Sequence, residues 1–274
     1  MMDLDTITEV VQARSRADLG ALEGDSAVVA GGTWLFSEPQ DGVRRLVDIT
    51  GLGWAPLTAT DAGLEIAATC TLAELDRARL RPDWSAADLF AQAARALLAS
   101  HKIRRVATVG GNICLALPAG AVLAALTALD ATAVLWSRDG RDRRIPLSRF
   151  VLGPGRTVLR PGEVLRSVTV DAAKLRSRTA FRKIALAPLG RSGALVMGRR
   201  DAGGTCAIAL SAATVRPTVL QFPAVPPPGD LTATIMELDR AVWHDDPHGS
   251  PAWRRHVAAV LAGEVLAELS GVRP

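Results

Sequence analysis

The chain of 274 residues lacks the features that mark secreted or membrane proteins. No window holds eighteen consecutive apolar residues, and the N-terminal MMDLDTITEV carries acidic residues where a signal peptide has basic ones. These absences predict a cytoplasmic protein without a membrane span. The hydrophobic fraction of 49% is sufficient for two domains, each with its own core.

Cysteine and histidine are too few and too scattered to build a metal centre. Cys70, Cys114 and Cys206 have no CxxC spacing of the kind that zinc and iron–sulfur sites use, so we predict buried free thiols. His244 and His248 lie four residues apart, but the Asp-Asp-Pro between them is typical of a helix end and a loop. No metal site is therefore expected in this chain.

Lysine is rare, because only three of the 32 basic residues are lysine and 29 are arginine. The densest basic run, SRDGRDRRIPLSR at 137–149, holds an Asp-Gly turn between alternating residues and predicts a β-hairpin with one solvated face. It has no interleaved aromatic residues for base stacking, and the net charge is only +4. Nucleic-acid binding is therefore not expected.

Capping signals and apolar periodicity predict short alternating elements in the first part of the chain. Residues 6–9 (TITE) and 71–74 (TLAE) have the capping-box pattern that begins a helix. Residues 85–100 carry an apolar stripe typical of a helix packed on a sheet. Strand-like runs lie between these helices, at 27–30, 46–50, 64–70, 131–136 and 164–170.

Beyond residue 170 the pattern changes to consecutive strands. A Pro-rich linker, FPAVPPPGD, leads from them to two helices, the last with Ser250 as its cap and Pro251 at its first position. The strand-like runs, which predict an antiparallel meander of three strands, are 180–186, 194–199 and 205–215.

The chain is therefore predicted to be an α+β protein with two domains. The first covers residues 1–176 and divides into subdomains of about 1–55 and 56–176. The second covers residues 177–274 and combines the three-stranded antiparallel sheet with helices.

Two glycine pairs follow short apolar strands, in VVAGGTWLF and in TVGGNICLALPAGA. Successive small residues let backbone N–H groups converge on an anion, and we expect positive φ at Gly32 and Gly111. Two such loops could hold one diphosphate, with Thr33, Thr108 and Asn112 as further hydrogen-bonding groups. Neither loop fits GxGxxG or GxxxxGK[ST], and each pair taken alone is also consistent with a tight turn.

The flanks of both pairs resemble one known family. VVAGGTWL resembles the AGGTDL-type loop, and ATVGGNICLALPAGA the TxGGNxxxxxPxxD loop, of the flavin-binding medium subunits of molybdenum hydroxylases, the family of carbon monoxide, xanthine and nicotine dehydrogenases. Four more segments extend the resemblance over nearly the whole chain: IRRVATVGGN, RFVLGPGRTVLRPGEVLRSVTV, FRKIALAPLGRSGALV and SPAWRRHVAAVL.

The resemblance implies FAD held between the two N-terminal subdomains. The first loop would wrap the pyrophosphate and ribityl chain, residues 108–112 would form the other wall, and Leu165 and Lys183 match positions that line the flavin. Ala121 stands where the family motif ends in aspartate, so a hydrogen-bond acceptor is missing and weaker FAD retention is expected. The predicted contact residues are Val29, Ala30, Gly31, Gly32, Thr33, Trp34, Leu35, Thr108, Val109, Gly110, Gly111, Asn112, Ala121, Leu165 and Lys183.

The implied function is that of the FAD-carrying electron-transfer subunit of a heterotrimeric molybdenum hydroxylase, an oxidoreductase. A large subunit would hydroxylate the substrate at a molybdenum cofactor, and a small subunit would pass electrons through two [2Fe-2S] clusters to FAD and then to an external acceptor. The segment IALAPLGRSGALV most resembles members that act on N-heterocycles such as nicotine. No catalytic acid or base is assigned to this chain.

Two alternatives stay open at this point. A self-standing flavin oxidase of related fold would usually carry a histidine in the first loop for covalent flavin attachment, and residues 30–34 contain none. A flavin-free assembly subunit is the other alternative, with Ala121 as its only support.

Overall fold

The computed structural model describes residues 4–137 and 139–271. The N-terminal part forms a small parallel sheet, in which the third strand of the chain lies between the first two. Its strands are β1 (Glu9–Gln12), β2 (Ser26–Val29) and β3 (Arg45–Asp48).

The helix predicted from the capping box at 6–9 is wrong, because β1 occupies its place. Val10 and Val11 pair with β3, and a β-branched pair favours this extended backbone. The Glu9 carboxylate lies 2.6 Å from the Arg45 guanidinium, so it is not available to cap a helix. Pairing with a distant strand overrides the local signal here.

The middle of the chain forms a five-stranded antiparallel sheet covered by helices. Its elements are β4 (Leu57–Ala59), β5 (Gly63–Ala67), α1 (Leu72–Asp76), α2 (Asp88–Ala96), α3 (His101–Arg104), α4 (Val109–Cys114), α5 (Ala121–Ala128), β6 (Thr132–Ser137), β7 (Asp142–Pro146), β8 (Val151–Gly153), β9 (Arg156–Thr157), β10 (Glu163–Asp171) and α6 (Ala172–Leu175). The strand order is β4-β5-β10-β6-β7, and β8 pairs with β9 separately. Helix α5, whose residues are all buried, packs against α2, α4, β12 and β13, the last two being strands of the C-terminal sheet, Ala194–Arg200 and Cys206–Ser211.

Several local predictions for this region are confirmed. Thr71 caps α1, and its hydroxyl accepts a hydrogen bond from the Glu74 N–H. The hairpin predicted for the basic run is formed by β6 and β7. The helix predicted at 85–100 is shorter than expected, since it runs over Asp88–Ala96 after a 3₁₀ turn at Ser85–Ala87.

The C-terminal part is an antiparallel sheet covered by two helices. Its elements are β11 (Arg178–Ile184), β12, β13, β14 (Thr218–Phe222), α7 (Pro228–Met236) and α8 (Pro251–Ser270). The predicted meander is confirmed but has a fourth strand, because β14 pairs with β13. Ser250 caps α8 and Pro251 is its first residue, as predicted. None of the helices in the described ranges has the length and apolar character needed to cross a membrane.

The α+β fold class is confirmed, whereas the boundary near residue 176 stays a prediction. The core around α5 also includes Leu195, Met197 and Ala209 from the C-terminal sheet. Helix α5 therefore packs against both the middle part of the chain and the C-terminal sheet, and its buried contacts hold the two together.

Asp201, which follows β12, connects the C-terminal sheet to α6. Its carboxylate accepts hydrogen bonds from Lys174 at 2.7 Å, Ser177 at 2.8 Å and Thr205 at 3.0 Å, and Arg199 lies 2.7 Å away. Burial by itself would raise the pKa of Asp201, but Lys174 and the other partners outweigh it and lower the pKa to about 2.

Because the folded-state pKa is lower than the usual 3.8, the Asp201 carboxylate stabilises the fold fully above pH 3.8. That stability is lost as the pH falls through about 2. We expect Asp201→Asn to lower the free energy of unfolding at pH 7 by about 2 kcal/mol. In urea titrations the difference from the wild type should shrink between pH 4 and pH 2, and a difference that is independent of pH would contradict this account.

Candidate functional site

A cleft of about 870 Å³ lies where the first glycine loop, the segment from α2 to α5 and the β11–β12 loop meet. This volume lies within the range of small-molecule and cofactor sites. Twelve of the fifteen predicted contact residues line the cleft: Val29, Ala30, Gly31, Gly32, Thr33, Trp34, Leu35, Thr108, Gly110, Gly111, Asn112 and Leu165. Residues more than 130 positions apart in the sequence are thus brought together.

The first glycine loop lines the cleft with every residue from 30 to 35. Within the described part of the chain, the N–H groups of residues 30–35 have no hydrogen-bond partner. Gly32 is buried, so its N–H has little access to bulk water. Because a buried backbone donor is nearly always paired, the Gly32 N–H is suited to an anionic or strongly accepting ligand, and the neighbouring N–H groups can add to it.

Each glycine of the first loop is required for a different steric reason. At Gly31 a Cβ atom would lie 2.1 Å from the Val106 carbonyl oxygen, so only glycine lets the loop pack on the segment before α4. Gly32 has φ +64°, and a Cβ atom there would lie 2.3 Å from the Phe36 ring. The positive φ predicted at Gly32 is confirmed.

The second glycine pair lies in a helix, and the prediction that it offers free N–H groups is wrong. The N–H groups of Val109 and Gly110 donate to the carbonyls of Cys70 and Ala68, each at 2.8 Å. The Gly111 N–H donates to the Thr108 hydroxyl at 3.0 Å, because Thr108 is the N-cap of α4. The backbone donors of this segment are therefore already used within the protein.

The two glycines of α4 differ in what surrounds them. At Gly110 a Cβ atom would lie 2.6 Å from the Ala68 side chain, which explains the close packing of α4 on β5. Gly111 is exposed, lines the cleft and has helical backbone, so the positive φ predicted there is wrong. Gly111 leaves the surface of α4 without a side chain where it borders the cleft.

Asn112 has a divided role. Its Oδ1 atom accepts a hydrogen bond from the Leu123 N–H at 3.0 Å, which caps the start of α5. Because Oδ1 must be the acceptor in this bond, the amide Nδ2 donors remain, and they have no partner among the described residues. The side chain lines the cleft, so these donors are available to a ligand.

Three predicted residues do not line the cleft. Val109 and Ala121 are fully buried in the core around α5. Lys183 lies on β11, and its Nζ atom donates to the Ala96 carbonyl at 2.9 Å, at the end of α2. Burial lowers the pKa of Lys183. Because Ala96 lines the cleft, the hydrogen bond from Lys183 stabilises the cleft wall, although Lys183 itself does not line the cleft.

The sequence did not predict the C-terminal wall of the cleft. It consists of Arg191 and Ser192 from the β11–β12 loop and His248 from the loop before α8. Arg191 and Ser192 lie inside a segment that was recognised only for its family resemblance. No local spacing connects this segment to His248, so only tertiary structure reveals the wall.

Among the described residues, the rest of the lining is mostly apolar, with Gly120, one amide (Gln40), one cysteine and one carboxylate. Burial raises the pKa of Cys114 to about 12, so this half-buried group is a neutral thiol. The Glu163 carboxylate is paired with Arg143 at 3.0 Å and accepts the Arg160 N–H at 2.8 Å. The apolar members are Val28, Ile49, Ala68, Leu72, Ala96, Leu97, Leu98, Ala99, Ile103, Ala107, Leu115, Leu117, Ala119, Leu159 and Val164.

Comparison with protein families matches residues 3–171 to the family described as the FAD binding domain in molybdopterin dehydrogenase. The chain is 30% identical over 171 residues to the nicotinate dehydrogenase FAD-subunit of Eubacterium barkeri, an alignment that covers 58% of this chain and 55% of that protein. It is 26% identical over 214 residues to the carbon monoxide dehydrogenase medium chain of Hydrogenophaga pseudoflava, covering 74% of this chain and 71% of that one. The chain thus spans little more than half the length of the first of these relatives.

Solved structures have the same fold over the whole chain. The reconstituted CO dehydrogenase from Oligotropha carboxidovorans superposes with a TM-score of 0.83 at 20% identity, over 99% of this chain and 100% of that one. Quinoline 2-oxidoreductase from Pseudomonas putida 86 superposes with a TM-score of 0.80 at 19% identity, over 99% of both chains.

Proposed function

The chain belongs to the family of FAD-binding domains in molybdopterin dehydrogenases, and from this premise we propose that it is the electron-transfer subunit of a molybdenum hydroxylase. In this proposal one FAD binds non-covalently in the cleft. Electrons reach the chain from iron–sulfur clusters in a small partner subunit and leave to an external acceptor. The hydroxylation itself takes place at a molybdenum cofactor in a large partner subunit.

The observation that carries the proposal is the run of unpaired N–H groups at residues 30–35, in a cleft large enough for a dinucleotide. A diphosphate needs hydrogen-bond donors that approach without side chains, and the first loop supplies them. The Asn112 Nδ2 donors and the Thr33 hydroxyl add polar groups on adjacent parts of the lining. These features fit FAD.

The residues of the cleft have distinct tasks in this proposal. The first loop binds and orients the diphosphate and ribityl chain, and Leu165 with the apolar lining excludes water from the ring. Val109 and Ala121 do not touch the cofactor in this proposal, but pack in the core behind the cleft wall. Lys183 does not touch it either, and stabilises the end of α2 through its hydrogen bond to the Ala96 carbonyl. FAD, when bound, supplies the redox chemistry.

An N-heterocyclic substrate for the whole complex is the finer part of the proposal. It is supported by the similarity to a nicotinate dehydrogenase FAD-subunit and by the segment IALAPLGRSGALV. Because a carbon monoxide dehydrogenase chain is similar as well, we expect the substrate to be selected by another subunit of the complex. The substrate is expected to bind in the large partner.

Neither alternative is favoured by the site. Ala121 is buried away from the cleft, so its alanine leaves no gap in the lining and gives no support to a flavin-free subunit. For a covalent flavin oxidase the first loop lacks a histidine, and His101 does not line the cleft.

The proposal is tested on the isolated chain and on the complex. Loaded with FAD, the isolated chain should take electrons from an artificial donor but should not hydroxylate nicotinate or quinoline. When the tagged chain is purified from its own cells, iron and molybdenum should co-purify with it. Turnover of either substrate by the isolated chain, or a purified native protein without both metals, would contradict the proposal.

A further inference from the structure

The C-terminal wall of the cleft is formed by Arg191, Ser192 and His248, three polar residues. None of them is among the FAD-contact residues predicted from the sequence. Arg191 is the only lysine or arginine among the described residues that line the cleft. Ser192 is 5% exposed, and His248 is half-buried. The three side chains come from two loops that are more than fifty residues apart in the chain.

Arg191 has no partner of opposite charge among the residues that the structure describes. In the described residues its guanidinium makes no hydrogen bond and no ion pair, although it is half-buried. The β11–β12 loop contains no acidic residue. Among the described residues, Glu163 is the one carboxylate in the lining, and it is already paired with Arg143. Because the guanidinium is a fixed positive charge in the cleft lining and no carboxylate of the described residues neutralises it, an anionic ligand is the natural complement.

The position of this wall is fixed by buried contacts. Arg254, which is 1% exposed, donates to the Gly193 carbonyl at 2.7 Å and also to the Ala212 carbonyl. The Ala212 N–H in turn donates to the Pro118 carbonyl at 2.8 Å, next to the start of α5. Through these hydrogen bonds Gly193, the residue after Ser192, is linked to the opposite side of the cleft. Such a link is expected for a preformed site rather than a mobile loop.

We propose that Arg191, together with Ser192 and His248, forms a phosphate-binding site on the C-terminal wall of the cleft. The planar guanidinium matches the geometry of phosphate oxygens, and the hydroxyl and imidazole can add hydrogen bonds. The phosphate comes either from FAD, in which case the inference rests on the proposed function, or from a second nucleotide that enters the FAD-loaded cleft. Both sources use the same recognition chemistry.

The experiment compares Arg191→Gln and Arg191→Lys with the wild type in two titrations. The first measures dissociation constants of FAD and of riboflavin for the apo-protein, because riboflavin lacks phosphate. The second measures ADP binding to the FAD-loaded protein. If FAD supplies the phosphate, Arg191→Gln weakens FAD about tenfold or more and leaves riboflavin unchanged. If a second nucleotide supplies it, FAD is unchanged and ADP binding is lost. In both cases Arg191→Lys retains part of the affinity.

Arg178→Gln is the matched control, since Arg178 is exposed on β11 outside the cleft. It should change neither titration. Equal losses for FAD and riboflavin in Arg191→Gln, or no change for any ligand, would overturn the phosphate site. Failure of the wild type to bind FAD would instead refute the proposed function.

Discussion

Gly32→Val is expected to weaken FAD binding by about a hundredfold or more while leaving the protein folded. A β-branched residue strongly disfavours the φ of +64° found at Gly32, and its side chain would collide with the Phe36 ring. The loop must then rebuild, which disperses the N–H groups of residues 30–35. A loss of about 2.7 kcal/mol in binding corresponds to the hundredfold effect, which flavin fluorescence titration measures.

Gly42→Val is the matched control for this experiment. Gly42 lies in an exposed turn of the same N-terminal part, and a Cβ atom there would meet nothing within 4 Å. Circular dichroism should show a native fold for both variants, and Gly42→Val should bind FAD like the wild type. Wild-type affinity in Gly32→Val would mean that the first loop is only a turn.

Asn112→Asp should also weaken FAD binding, by about tenfold to a hundredfold, without lowering the stability of the fold. The new carboxylate can still accept the hydrogen bond from the Leu123 N–H, so the cap of α5 is retained. It can no longer donate from Nδ2, and it brings a negative charge to a cleft that we propose holds a diphosphate. We expect a larger FAD dissociation constant and an unchanged melting temperature of the apo-protein.

Ser100→Asp controls for the added charge. Ser100 caps the neighbouring helix α3 through the Ile103 N–H, and it does not line the cleft. Aspartate is an equally good cap, so this variant should keep both stability and FAD affinity. If both aspartate variants lost FAD equally, the effect would be one of net charge and not of the Asn112 side chain.

Elements with strong local signals could be predicted from the sequence. The cap at Thr71, the Ser250-Pro251 helix start and the strands of the C-terminal meander depend on neighbours within a few residues, and the structure has all of them. Both glycine pairs singled out in the sequence line one cleft.

Other features depend on contacts that the sequence does not encode locally. Glycine is a poor helix former, so α4 was expected to be a loop, yet packing of Gly110 on Ala68 stabilises a helix there. The signal at residues 6–9 was overridden by pairing of β1 with β3. Arg191 and His248 meet at the cleft only because the C-terminal sheet packs on α5. Each of these outcomes was decided by tertiary packing.

The central claim, that this chain binds one FAD in the cleft, is tested most directly by reconstitution. Purified apo-protein is incubated with FAD, freed of excess cofactor and heated in a thermal unfolding assay, and the bound chromophore is released by acid and identified by chromatography. We predict one FAD per chain and a higher melting temperature, because a ligand that binds only the folded state stabilises it. A colourless protein with an unchanged melting temperature would contradict the account.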